Sequence, residues 1–286
     1  MSFSFFSTGA TSEVNFIPEV FSKLLQAKFY SSSVLPAISN TDYEGEISGQ
    51  GEKVVIRTVP TININDYTGS ITNQELTTSK VELLIDKAKY YSFKMDDVLE
   101  AQSDINMLDA ATTDAAEQMR VAVETNVLAS SITGATTITS QTTIDASNIL
   151  TSILDIGKAL DELNIPEEGR YMVLSPTFVS LLKQSELRQA YLTGDATSPL
   201  RNGQVGVVDR FTIYQSNMLF TASSGADNGY THILAGHPKA LCFASQFTNT
   251  ETVRLESTFG SAVRGLKVYG SKIVVPDAIA VGKWKV

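Results

Sequence analysis

The sequence predicts an α+β protein, and three observations carry that expectation. A central stretch without glycine or proline repeats its apolar residues at helical spacing. Ahead of it, residues 52–62 and 80–95 are rich in β-branched and aromatic residues. After residue 238 the chain turns wholly to strand patterns. A long helix packed on an antiparallel sheet satisfies all three.

Taken in order, residues 1–40 mix Ser, Thr and Phe before one short amphipathic stretch, PEVFSKLLQAKFY, with Pro18 where a first helical turn tolerates it. Val20, Leu24, Leu25 and Phe29 share a face, and Phe21, Leu24 and Phe29 are the candidates to pack on another surface. One short helix after a polar lead makes no core of its own, so this is read as an arm.

The blocks EKVVIRTVPTI and KVELLIDKAKYYSFKM, joined by the loop-like NINDYTGSITNQ, are read as one long two-stranded hairpin. On its second arm Val81, Leu83 and Ile85, then Tyr91, Phe93 and Met95, alternate with Lys80, Glu82, Asp86, Ser92 and Lys94. A lone hairpin is marginal in water, so its apolar face needs a partner, and neighbouring subunits are the expected one.

From Gly69 to Gly134 there is no glycine and from Pro60 to Pro166 no proline, which frees residues 103–132 to be helical. Leu108, Ala115, Met119, Val123 and Val127 form the stripe, with Asp109, Asp114, Glu117, Arg120 and Glu124 placed off it. Met119 at that spacing is read as core. The polar link GATTITSQTTID is taken as a subdomain boundary. Beyond it the patterns give a helix ending before Pro166, the strand RYMVLS, and a helix with Pro176 in its first turn. VGVVDRFTIYQSNML then reads as one or two strands. KALCFASQF, TETVRLESTF, AVRGLKVYGSKIVV and AIAVGKWKV close the chain as strands, and Pro276 must break one, lie at an edge or mark a bulge.

Composition narrows the function. With 22 Lys plus Arg against 31 Asp plus Glu, the net charge is -9, the wrong sign for neutralising phosphates. Such a surface stays soluble at high concentration, or lies near DNA without adhering to it. Cys242 is the only cysteine, which excludes internal disulfides and cysteine-based metal clusters, and its apolar surroundings read as a buried position. No basic segment precedes the first apolar residues and no run of about 18 apolar residues occurs, so the chain is read as made and folded in a reducing cytoplasm.

AKYYSFKMDDVLEAQ, residues 88–102, holds the raw material of an acid/base or metal site. Asp96 and Asp97 sit where strand alternation gives way to helical pattern, and Glu100 follows Asp97 by three, the spacing of a capping box. That reading is preferred, because the only histidines, His232 and His237, lie far along the chain and five residues apart, a spacing that suits neither a zinc helix nor one face of a strand. No nucleophile elbow, phosphate loop or dinucleotide fingerprint occurs. Arg201, Asn202, Gly203 and Asn217 flank a strand in RNGQVGVVDRFTIYQSN, and turns are preferred to a ligand loop there. No catalytic, cofactor or metal residue is assigned.

Six stretches in colinear order, FIPEVFSKLLQAKFY, YEGEISGQGEKVVI, KAKYYSFKMDDVLEAQS, RYMVLSPTFVSLLK, RNGQVGVVDRFTIYQSN and RLESTFGSAVRGLKVYGSKIVVPDAIAV, resemble the major capsid proteins of tailed bacteriophages, with their Hong Kong 97-type coat fold. The resemblance implies an N-terminal arm over 1–40, an extended β-hairpin loop over 41–95, and the spine helix of a peripheral domain within 96–134. A mixed axial domain follows over 135–238, and the strands of 239–286 return largely to the peripheral domain. It further implies self-assembly as hexamers and pentamers, the hairpin lying on an adjacent subunit, and an icosahedral head that encloses double-stranded DNA without reading its sequence. A portal partner, a separate scaffolding protein, no removal of a long N-terminal segment, and in some members a decoration protein belong to the same expectation. Phe21, Leu24, Phe29, Tyr91, Phe93, Asp96, Asp97, Glu100, Met119, Arg201, Asn202, Gly203, Asn217 and Pro276 are the resulting structural and assembly candidates. The alternatives are an encapsulin shell of the same fold holding an enzyme cargo, and a soluble enzyme built on Asp96, Asp97 and Glu100.

Overall fold

The computed structural model describes residues 30, 33–42, 53–57, 60, 62–67, 73–75, 80–96, 107–137, 142–185, 206–255 and 260–286. Its elements are α1 (Leu35–Ile38), β1 (Lys53–Arg57), β2 (Lys80–Leu84), β3 (Lys87–Asp96), α2 (Met107–Gly134), β4 (Thr136–Thr137), β5 (Thr142–Thr143), α3 (Ile149–Glu162), β6 (Tyr171–Leu174), α4 (Pro176–Gln184), β7 (Val207–Val208), β8 (Phe211–Gln215), β9 (Thr231–Gly236), β10 (Leu241–Arg254), β11 (Gly260–Ile273) and β12 (Ile279–Lys285).

The central sheet runs β4, β12, β9, β6, β8, β7, with β5 also beside β12. Its central strands β6, β9 and β12 are buried on both faces, and their side chains alternate between two cores. Tyr171, Val173, Leu234, Ile279 and Val281 point toward α1 and α2. Met172, Leu174, Ile233, Ala280 and Trp284 point toward α3 and α4, where Phe178 meets the Trp284 ring edge-on at 5.4 Å. α3 begins where the Asp145 carboxylate accepts from the backbone of Ser147 and Asn148, and it closes at Asn164, whose φ of 56° ends a helix in the left-handed region. The β7–β8 turn carries Asp209 and Arg210 at φ 44° and 63°, the twist a two-residue hairpin needs.

A second sheet orders β10, β11 and β3, all antiparallel, with a register shift in β10 between Gln246 and Thr248. α2 lies across it. Met119, Val123 and Val127 bury against Tyr269, Phe243 and residues of the central sheet in one continuous cluster. One cluster thus joins residues on both sides of the polar link, because α2 is long enough, about 42 Å at 1.5 Å per residue, to serve both sheets.

Two expectations are corrected. The stretch 80–95 is not one strand of one hairpin: Ile85 and Asp86 break it, β2 pairs with β1, and β3 pairs with β11. The β1–β2 pair does not wait for a neighbour either, since Val54, Ile56, Leu83 and Ile85 bury against Cys242, Ala244 and Val268 of the same chain. Of the terminal strands, β10 and β11 lie in the second sheet, and β12 joins β9 in the central one. Pro276 does break the last strand pattern, opening a 3-10 turn over Pro276–Ala278.

Candidate functional site

The acidic stretch shows what β3 does at its end. Asp96 is the last residue of the strand, its backbone opposite Gly260, while Asp97 and Glu100 lie outside the described residues. The histidines are separate. His237 accepts the Lys239 amide at 3.2 Å and starts a 3-10 turn, whereas His232 is buried beneath Phe220, ring centroids 5.4 Å apart, with no hydrogen-bond partner on either nitrogen. Burial pushes both imidazoles below their ordinary value. Burial likewise pushes the Cys242 thiol up to about 11, aided by Asp42, which leaves it a small apolar group. Among the described residues no cluster of three His, Cys, Asp or Glu side chains could hold a metal, and no helix is long and apolar enough to cross a membrane.

What the fold does bring together are the aromatic candidates. Tyr91 and Phe93 project from the same face of β3 with rings 6.3 Å apart, and with Ala111, Ala115 and Met119 of α2 they line a mostly apolar groove of about 520 Å³. Tyr91 lies across Gly265, and its hydroxyl stands 3.3 Å from the Thr250 hydroxyl. A side chain at Gly265 would collide with that ring, so the glycine is what lets the tyrosine cover the sheet.

At the groove's open side the arm's last residues are fastened to α2. The Tyr30 hydroxyl bonds the Asp114 carboxylate, with Gln118 Nε2 at 3.5 Å from the same oxygen. Glu124 accepts the Val34 amide at 3.1 Å and the Ser33 hydroxyl, and is 1% exposed. The apolar periodicity placed Glu124 off the buried stripe; it is buried because a backbone donor from another segment reaches it, a pairing no helical spacing reveals. Phe21, Leu24 and Phe29 lie outside the described residues.

Two further surfaces are exposed and apolar. Between β1 and β2, Ile62, Ile64 and Tyr67 are 62%, 92% and 76% exposed. On the outer face of the second sheet, Tyr90 and Leu266 stand opposite each other, beyond the area that β1 and β2 cover. In the central sheet, Asp161 bridges Arg170 at 2.8 Å and Arg210 at 2.9 Å. Burial raises the Asp161 carboxyl, but hydrogen bonds and charge from both arginines outweigh it and hold the group below its usual range. Arg170 is fully buried and also donates to the Ile165 and Pro166 carbonyls, so it ties β6 to the end of α3. Asn217 is exposed in a bend after β8, and Arg201, Asn202 and Gly203 lie outside the described residues.

A core of two sheets with an arm fastened to its long helix, an exposed apolar loop and an uncovered sheet face defines a structural subunit made to associate. Residues 80–283 match the phage capsid protein family. A solved structure of Mycobacterium phage Che8 is 28% identical over 94% of this chain and 97% of its own, with a TM-score of 0.82. The mature capsid of bacteriophage PhiM1 is 19% identical over 97% and 94%, at 0.71, and the head of Helicobacter pylori bacteriophage KHP40 is 12% identical over 98% of both chains, at 0.67. No curated protein sequence matches. The chain belongs to the phage capsid protein family and is a tailed-phage major capsid protein with the Hong Kong 97-type fold.

Proposed function

We propose that this capsid protein assembles as hexamers and pentamers that close into an icosahedral head around packaged double-stranded DNA. The observation that carries the reading is the Che8 likeness, which extends over nearly the whole of both chains. The exposed Ile62, Ile64 and Tyr67 and the uncovered Tyr90 and Leu266 supply apolar area for contacts between copies, and closure multiplies contacts that are individually weak. The net charge of -9 suits a wall that must not trap the polyanion it encloses.

The partners of this reading are many copies of the same chain, a separate scaffolding protein, a portal and in some heads a decoration protein. The protein works in the virion, after assembly in the host cytoplasm. Neither a nanocompartment with enzyme cargo nor an enzyme built on Asp96, Asp97 and Glu100 gains support from the family match. Electron microscopy of the purified protein, alone and coexpressed with the candidate scaffold from its genomic neighbourhood, is the test. Closed shells or capsomers are the expected result, and small particles of one size under both conditions would overturn it.

A further inference from the structure

We propose that His232 is an acid-operated catch on the loop over residues 216–230, which closes over the neutral imidazole and opens when the ring takes up a proton. His232 stands on β9 where that strand has a strand neighbour on one side. β12 pairs along the whole of β9, with Lys283 directly opposite His232, whereas the pairing with β6 ends at Leu234. On the side that β6 leaves, the loop stands in for a strand. The Phe220 carbonyl accepts the His232 amide at 2.9 Å, the Ala222 amide reaches the Tyr230 carbonyl at 3.0 Å, and the Thr221 and Thr231 hydroxyls meet at 3.0 Å. The Phe220 ring then roofs the imidazole, which is 5% exposed and finds no hydrogen-bond partner for either nitrogen among the described residues.

Such a place tolerates the neutral ring better than the charged one, because an imidazolium has two N–H donors and needs acceptors or water for both. The charges that face it supply neither. From β12 comes Lys283, a second cation, and from the loop comes Asp227, whose carboxylate Lys283 already holds at 2.8 Å. Farther along the same edge Lys285 lies over the Tyr230 ring, 5.8 Å from its centre. The closed loop therefore excludes the proton, while the open loop lets water reach the ring and the proton bind at its ordinary value. Opening is local. It parts Phe220 and Ala222 from residues 229–232 and separates Asp227 from Lys283, and it leaves the ladder between β9 and β12 intact. It also bares the covered side of Phe220, so acid enlarges the apolar surface of the subunit at this edge.

The test is backbone hydrogen exchange of the full-length protein, read by mass spectrometry at about pH 7.5 and 5.5 with each rate divided by the intrinsic rate at that pH. Peptides spanning 217–232 are expected to lose up to about tenfold in protection at the lower pH, the factor by which a group that titrates at 6.5 favours its protonated form there. Peptides spanning 233–236 and 279–284, in the sheet, are expected to keep their protection. His232→Phe leaves a ring beneath Phe220 with no proton to take and should abolish the loss, and His232→Gln serves the same purpose where the first variant folds poorly. His237→Gln, at the other histidine that burial lowers, should leave the loss unchanged. Asp227→Asn loosens the loop at both pH values and should keep the response, because the proton goes to His232. Equal protection at both pH values in folded protein overturns the proposal, as does a response that survives the His232 variants or disappears with Asp227→Asn. A loss shared equally by the sheet peptides is unfolding of the subunit and overturns it too. The catch belongs to the single subunit, so its failure leaves the capsid reading standing, and failure of that reading leaves the catch.

Discussion

At the scale of single residues, the structure turns on groups whose partners are distant in sequence. Glu124 is one. Replacing it with Leu leaves the Val34 amide and Ser33 hydroxyl without an acceptor in a buried place, so thermal unfolding should show a loss of about 1–3 kcal/mol. Gly270 is another: a Cβ there would run into the Leu84 carbonyl oxygen and the Ile85 backbone, where the chain crosses from β2 to β3. Backbone cannot swing aside as a side chain can. Gly270→Ala should therefore cost about 1–3 kcal/mol or more, and Gly265→Ala less, because only the Tyr91 ring must move. His232 gives a pH signature. Burial first, and then the Lys283 charge, favour its neutral form against the pull of Asp227, so its folded value lies below the ordinary 6.5. The unfolded chain takes the proton first as pH falls. Stability is then complete above about pH 6.5 and declines below it until the folded group also protonates. Denaturant titrations at pH 7.5 and 5 should show that decline, and His232→Phe should lessen it, leaving the part that His237, lowered in the same direction, contributes.

At the scale of elements, β3 is the piece whose pattern was legible and whose partner was not. The alternation of Tyr91 and Phe93 with Ser92 and Lys94 was plain, and so was the end of the strand near Asp96. Pairing with β11, more than 150 residues away, depends on topology, which local periodicity does not encode. The strand's role can be tested by contrast. Phe93→Asp puts a charge into the wall of the groove and should reduce shell yield by at least about tenfold, with some loss of subunit stability. Asp96→Asn keeps a polar group at the strand end and should leave yield within about twofold. Equal damage, read by sedimentation of assembled particles, would remove the aromatic wall as the reason. In α2, the stripe of Met119, Val123 and Val127 was evident from its spacing, whereas the burial of Glu124 was not, because its donors come from the arm.

At the scale of the whole molecule, one core joins both sheets, while the loop between β1 and β2 stands clear of it. Ile64, 92% exposed, contributes little to the isolated subunit. Ile64→Asp should change subunit stability by less than about 0.5 kcal/mol and yet impair assembly, if the loop's apolar tip lies on a neighbour. Circular-dichroism melting and particle counts by electron microscopy measure the two quantities separately. A variant that assembles as well as the parent would remove the tip from the contacts between copies.

The sequence by itself determined the fold class, the long helix, the strand and helix order from Ile149 to Gln184, the break at Pro276 and the family, because each rests on local periodicity, on proline chemistry or on motifs in colinear order. Only the tertiary structure decided that the presumed hairpin is split between two sheets, that its base is covered by its own chain, that β12 crosses back to the central sheet, and that Tyr91, Phe93 and Met119 meet beside the end of the arm. These are contacts between segments far apart in sequence, and an amphipathic strand shows that it has an apolar face without showing what will cover it.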